Sequence, residues 1–139
     1  MMSSYELLVS VQDAETLARM LATHRRDNPF EADASDDLAD LLMEARLVPA
    51  DRLPGDRIGL ESAVTYAEEP SGARRTVRLV LPERADPAKG SISVLSPIGL
   101  ALVGRRRGSV ARAAMPNGRA LMVRILDVLS GARPLAKAA

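Results

Sequence analysis

A chain of 139 residues, 47% of them hydrophobic, can bury one compact core, and a formal net charge of +1 gives too weak a field for a bulk-charge nucleic-acid or membrane-surface binder. With no cysteine and a single histidine, His24, the chain lacks the groups for disulfides, thiolate chemistry, multi-ligand zinc sites and most histidine-based triads. The charge is divided: residues 1–50 hold four Arg against ten Asp and Glu, and residues 51–139 hold fifteen Arg and Lys against eight Asp and Glu.

The N-terminus has no basic segment followed by a long apolar run, and no stretch approaches the roughly 20 apolar residues of a membrane span. A cytoplasmic protein without a membrane partner is expected. Tyr5, Leu7, Leu8 and Val9 make a short apolar run before Ser10, which is followed three residues later by Asp13, a capping pair. The helix that starts there carries Val11, Ala14, Leu17, Ala18 and Leu21 on one narrow apolar face. A polar stretch from His24 to Ala34 contains Pro29. Ser35 then offers a second N-cap, with Asp36 and Asp37 in the first turn, where carboxylates favour the helix dipole. Leu38, Leu41, Leu42, Ala45 and Val48 give the second stripe, and two stripes joined by about ten residues predict an antiparallel helical hairpin, a short coiled coil.

Pro49, Pro54 and Gly55 punctuate the chain, and beyond them the hydrophobic period becomes two-fold. Ile58 and Leu60, then Val64 and Tyr66, then Val77, Leu79 and Leu81, predict strands, with a hairpin turn at 69–72 and a polar loop from Pro82 to Gly90. Ile92 and Val94 begin another strand. Ser96 and Pro97 predict a cap and first position for a short helix from Ile98 to Val103, ended by Gly104. Residues 110–115 and 121–129 close the fold as two strands joined by Pro116-Asn117-Gly118, where Asn-Gly is a strong hairpin signal. The tail from Gly131 to Ala139 is expected to fray. The fold class is therefore α+β: a hairpin module over residues 1–49, and over 50–139 an antiparallel sheet packed on one short helix.

The segment Ile92-Ser93-Val94-Leu95-Ser96-Pro97-Ile98-Gly99-Leu100-Ala101-Leu102-Val103-Gly104, then Gly108 and Pro116-Asn117-Gly118, resembles the C-terminal domain of the transcript-cleavage factors GreA and GreB. The resemblance implies a domain of the FK506-binding-protein type from about residue 50 to 130. Gre factors carry long coiled-coil helices whose acidic tip reaches down the secondary channel of RNA polymerase and helps hold a catalytic magnesium. Helices of at most about 15 residues project only about 20 Å. The shortened layout is similar to that of the Gre-like group called regulator of nucleoside diphosphate kinase, which is implied to bind polymerase near the rim of the secondary channel and to compete with Gre factors without driving cleavage.

On that resemblance the partner is bacterial RNA polymerase, with no sequence-specific nucleic acid and no cofactor, and a monomer is favoured. The contact candidates are Ser96, Pro97, Ile98 and Gly99, with Leu100 and Val103 turned inward, and the cationic turn Arg105, Arg106, Arg107 with Ser109. The family usually places Asp where Ser109 follows Gly108, so a weaker acceptor stands beside the three guanidiniums here. Glu31, Asp33, Asp36 and Asp37 are the candidates for a metal-holding tip, against the plainer reading of helix-dipole and solubility charges. Two other readings are a generic protein-interaction module and a prolyl isomerase. The second is disfavoured because Tyr5, Phe30 and Tyr66 are the only aromatic residues, and only Tyr66 lies in the second domain.

Overall fold

The computed structural model describes residues 7–131; Tyr5 and residues 132–139 of the tail lie outside the described residues. Chain order is β1 (Leu8–Ser10), α1 (Val11–Asp27), α2 (Ala32–Glu44), β2 (Arg46–Val48), β3 (Ala63–Glu69), β4 (Arg74–Val80), β5 (Ser91–Ser93), α3 (Pro97–Leu102), β6 (Val110–Ala114) and β7 (Ala120–Leu129), with 3₁₀ turns between. The α+β class and the N-terminal helical hairpin are as expected.

Ser10 caps α1, its hydroxyl accepting from the Asp13 N–H at 3.0 Å. Asp13 does not return the bond in capping-box fashion. Its carboxylate accepts from the Leu60 N–H at 3.0 Å, tying the first turn of α1 to the segment before β3. Burial pushes the Asp13 carboxyl above its usual range, and the Leu60 bond opposes that shift. Leu17 is fully buried and Leu21 packs against the core, as expected; Ala18 is exposed, and Met20 packs against the core in addition.

The second helix departs further. It begins at Ala32, not after Ser35, because the 3₁₀ turn Pro29–Glu31 feeds directly into it. Only residues 28–31 separate the helices, a tighter connection than about ten residues. Ser35 is inside the helix and buried, its hydroxyl without a hydrogen-bond partner. Asp36 and Asp37 therefore lie beyond the first turn, whose acid is Asp33. Helix α1 has 17 residues, a little more than expected, for a projection of about 25 Å at 1.5 Å per residue. Val48 belongs to β2, which pairs in parallel with β1 and so closes the base of the hairpin.

The main sheet has the order β5-β4-β3-β7-β6. Its pairings are antiparallel except β4 with β5, which run parallel. The polar loop before β5, folded into two 3₁₀ turns, supplies the crossover that a parallel neighbour needs. Ile58 and Leu60 are not in a strand. Ile58 is buried because its N–H donates to the Arg105 carbonyl at 2.9 Å while its carbonyl accepts from the Gly104 N–H at 2.8 Å, an association formed by the turn and not by a sheet. At the far end Asn117 Oδ1 accepts from the Arg119 N–H at 2.9 Å, and the Asn-Gly hairpin forms as expected.

Leu17 of α1 and Leu38 of α2 are fully buried in the same cluster as Val64, Leu79, Leu102, Val123 and Ile125. The base of the hairpin thus shares one core with the sheet and α3.

Candidate functional site

Short helices depend on their ends, and α3 is bound at both. Pro97 stands at its first position. The Ser96 hydroxyl accepts from the Gly99 N–H at 3.1 Å and donates to the Ser93 carbonyl at 2.6 Å, while the Leu95 N–H donates to Ser93 Oγ at 2.9 Å. The strand-to-helix corner is a closed set of side-chain-to-backbone bonds. Ser96→Ala is expected to cost about 1 kcal/mol, read as a lower urea midpoint that Ser96→Thr restores. An unchanged midpoint for the alanine variant would show that water replaces the cap.

Gly99 is not the exposed contact it was expected to be. It is buried where a Cβ would collide with the Ser93 carbonyl oxygen and stand 2.9 Å from Val94 Cα, so glycine is what lets α3 lie on the backbone leading out of β5. Ser96, Pro97 and Ile98 are half-buried and keep some surface; Val103 is buried, as anticipated, whereas Leu100 is only partly so. Gly104 ends the helix at φ 80°, its carbonyl accepting from the Leu8 N–H and from Arg57 Nη1, both at 3.1 Å.

The cationic turn follows. Its backbone is fixed by the Arg105 carbonyl to Ile58, by the Arg107 N–H to the Asp56 carbonyl at 2.9 Å, and by a bridge between Arg106 and Arg57. Arg106 and Arg107 are exposed, with Arg107 Nη1 3.8 Å from Asp127 Oδ1. The Ser109 hydroxyl donates to the Arg106 carbonyl at 2.6 Å and so braces the turn that presents the guanidiniums. Arg105 is half-buried and lines a cleft of about 340 Å³ between α2, α3 and β6, together with Ala34, Asp37, Leu41, Leu95, Pro97, Leu100, Ala101, Arg112 and Ala114. Its floor is apolar, and Asp37, Arg105 and Arg112 supply the charge. No aromatic ring lines it. Tyr66 is buried in the core, with burial first and the nearby Glu68 second holding its hydroxyl pKa above the usual value.

The four acidic candidates are not brought together. Glu31 Oε1 lies 2.6 Å from His24 Nε2, Asp36 pairs with Arg25 at 3.1 Å, and Asp37 faces the cleft, leaving Asp33 by itself in the first turn of α2. Among the described residues no three Asp, Glu or His side chains are grouped so as to hold a metal ion. Two features lie outside the sequence expectation. Arg112 is legible in the exposed alternation of β6; the pairing of Glu31 with His24 depends on the helical turns that run from α1 through Pro29–Glu31 into α2, which the polar composition of residues 24–34 does not signal.

Residues 53–130 match the family described as Transcription elongation factor, GreA/GreB, C-term. The chain belongs to the GreA/GreB family through this domain. It is 39% identical over 74 residues to the transcription elongation factor GreA of Desulfovibrio desulfuricans, covering 53% of this chain and 46% of that protein. It is 33% identical over 82 residues to the GreA of Brucella anthropi, covering 59% of this chain and 52% of that one. The chain thus spans about half the length of these curated relatives. Among solved structures it is similar to a prokaryotic transcription elongation factor GreA/GreB from Nitrosomonas europaea, with a TM-score of 0.72 and 32% identity over 90% of this chain and 100% of that one. Among the described residues no helix is long and apolar enough to cross a membrane.

Proposed function

We propose that this chain is a regulator of bacterial RNA polymerase of the regulator-of-nucleoside-diphosphate-kinase type. It docks at the rim of the secondary channel through residues 50–139 and competes with Gre factors without stimulating transcript cleavage. Support for docking comes from where the family match falls: residues 53–130 include α3 and the cationic turn but exclude the whole helical hairpin. The observation that carries the loss of cleavage is the hairpin itself, with helices of 17 and 13 residues, with Glu31 Oε1 against His24 Nε2 and with Asp36 paired to Arg25. A carboxylate already engaged by a side chain of its own hairpin, on a tip about 25 Å from its base, is a poor donor to a metal bound elsewhere.

The docking face is assigned to Ser96, Pro97, Ile98 and the guanidiniums of Arg105, Arg106 and Arg107. Three adjacent arginines on a braced turn offer forked donors to partner carboxylates. The test is capture of the full chain on immobilised core RNA polymerase. Replacing Arg105, Arg106 and Arg107 together by alanine is expected to weaken binding at least about tenfold, the loss of roughly one charge-assisted hydrogen bond, and to flatten the salt dependence. Equal binding by the triple variant moves the docking face elsewhere; failure of the unmodified chain to bind overturns the reading.

A further inference from the structure

The crest of the hairpin is a tightly held turn that carries a bare aromatic ring. The Asn28 N–H donates to the His24 carbonyl at 2.8 Å and Asn28 Nδ2 to the same carbonyl at 3.2 Å. The Glu31 N–H donates to the Asn28 carbonyl at 2.9 Å, and Glu31 reaches back to His24. Between these bonds stands Phe30, the only phenylalanine of a chain without tryptophan, and it is 101% exposed. A loose connector would let the ring fold back onto a helix. This one holds it outward, in contact with nothing of its own chain.

The surroundings decide what the ring can meet. From Asp27 to Ala45 the chain has Asp and Glu but no Lys or Arg. Although Arg25 and Arg26 answer Asp36 and Asp27, the balance at the crest is negative. A nucleic acid, which offers bases for stacking but carries phosphates, is repelled by such a surface. A protein pocket with an apolar floor and a rim of Lys or Arg is complementary to it in both shape and charge.

We infer that Phe30 is a docking anchor that inserts into an apolar, basic-rimmed pocket of the protein partner. Resting on the reading above, that partner is core RNA polymerase, and the hairpin tip is a second point of attachment and not a metal-delivering device. Aromatic side chains dominate the few residues that carry interface affinity, and a turn already fixed in the free protein has little ordering cost on binding. The acidic rim sets orientation and on-rate.

The experiment measures binding of the full chain, Phe30→Ala and Phe30→Leu to core polymerase free of nucleic acid, and then to assembled elongation complexes. Phe30→Ala is expected to bind core polymerase at least about tenfold more weakly, a loss of about 1.4 kcal/mol, with Phe30→Leu between it and the unmodified chain. The melting temperatures should coincide, because the ring packs against nothing that folding needs. Equal binding of Phe30→Ala to core polymerase overturns the anchor, as does a loss that appears only when RNA and DNA are present, which would assign the ring to base stacking. If the unmodified chain itself does not bind, the polymerase reading fails and the anchor falls with it, an outcome distinct from the other two.

Discussion

Leu38→Ala is expected to lower the unfolding free energy by about 3 kcal/mol, the usual cost of emptying a fully buried leucine site, and the melting temperature by roughly 10 °C. The position is 0% exposed and sits on α2, yet its cluster reaches through Leu17 and Leu102 to Val123 and Ile125 in the middle of the sheet. Two consequences can be separated by hydrogen exchange. If hairpin and sheet fold as one unit, amides of α2 and of β7 lose protection together, by the same factor. If the hairpin is an independent module, the variant melts α1 and α2 while β3 and β7 stay protected. The shared core and the Asp13 bond to Leu60 favour the first outcome. A fragment limited to residues 50–139 would expose the sheet side of this core, so polymerase binding is better tested with full-length variants.

The parts of the fold legible in the sequence are those set by neighbours in the chain. Ser96-Pro97 forms its cap and first position, Asn117-Gly118 turns β6 into β7, and Ser10 opens α1, each through bonds spanning no more than three residues. The misreadings fall where a distant group outweighs the local signal. Ser35 has the composition of a cap, but Pro29 starts a 3₁₀ turn upstream and α2 continues from it, leaving Ser35 buried. Ile58 and Leu60 alternate like strand residues; their backbone partners are Arg105, Gly104 and the Asp13 carboxylate, so the apolar side chain at Ile58 is buried by a turn.

The family resemblance marks the segment of the candidate site, but not every surface within it. Gly99 belongs to the recognisable stretch because the backbone after β5 leaves no room for a side chain, a packing requirement that sequence reading mistook for accessibility. The cleft joining Asp37 to Arg105 and Arg112 is assembled from α2, the turn after α3, and β6. No spacing along the chain encodes that meeting. It arises because α2 and α3 pack on a common core, and it gives Asp37 a place beside the cationic turn instead of one at the tip.

In stalled, backtracked elongation complexes the chain alone is expected to leave the transcript uncut, and when titrated against a Gre factor to suppress cleavage toward the uncatalysed level. Stabilising a second active-site magnesium requires oxygen ligands at about 2.0–2.1 Å, so a tip short by a few ångströms contributes nothing to that metal. Here α1 ends after 17 residues, and two acids near the crest are engaged, Glu31 by His24 and Asp36 by Arg25. Asp33 is left, and among the described residues it belongs to no group of three acidic or histidine side chains that could hold a divalent ion. The proposed docking through the C-terminal domain does not depend on the tip. Two proteins that share one surface exclude each other by mass action, so the inhibitor concentration that halves the Gre rate should rise in proportion to the Gre concentration once that exceeds its own dissociation constant. Cleavage by the chain alone that disappears in Asp33→Ala would overturn the argument from hairpin length. A Gre rate unchanged at saturating chain would instead place the two proteins on different sites. A suppression that ignores the Gre concentration would point to inhibition of the polymerase itself, with the chain acting on the enzyme and not on access to it.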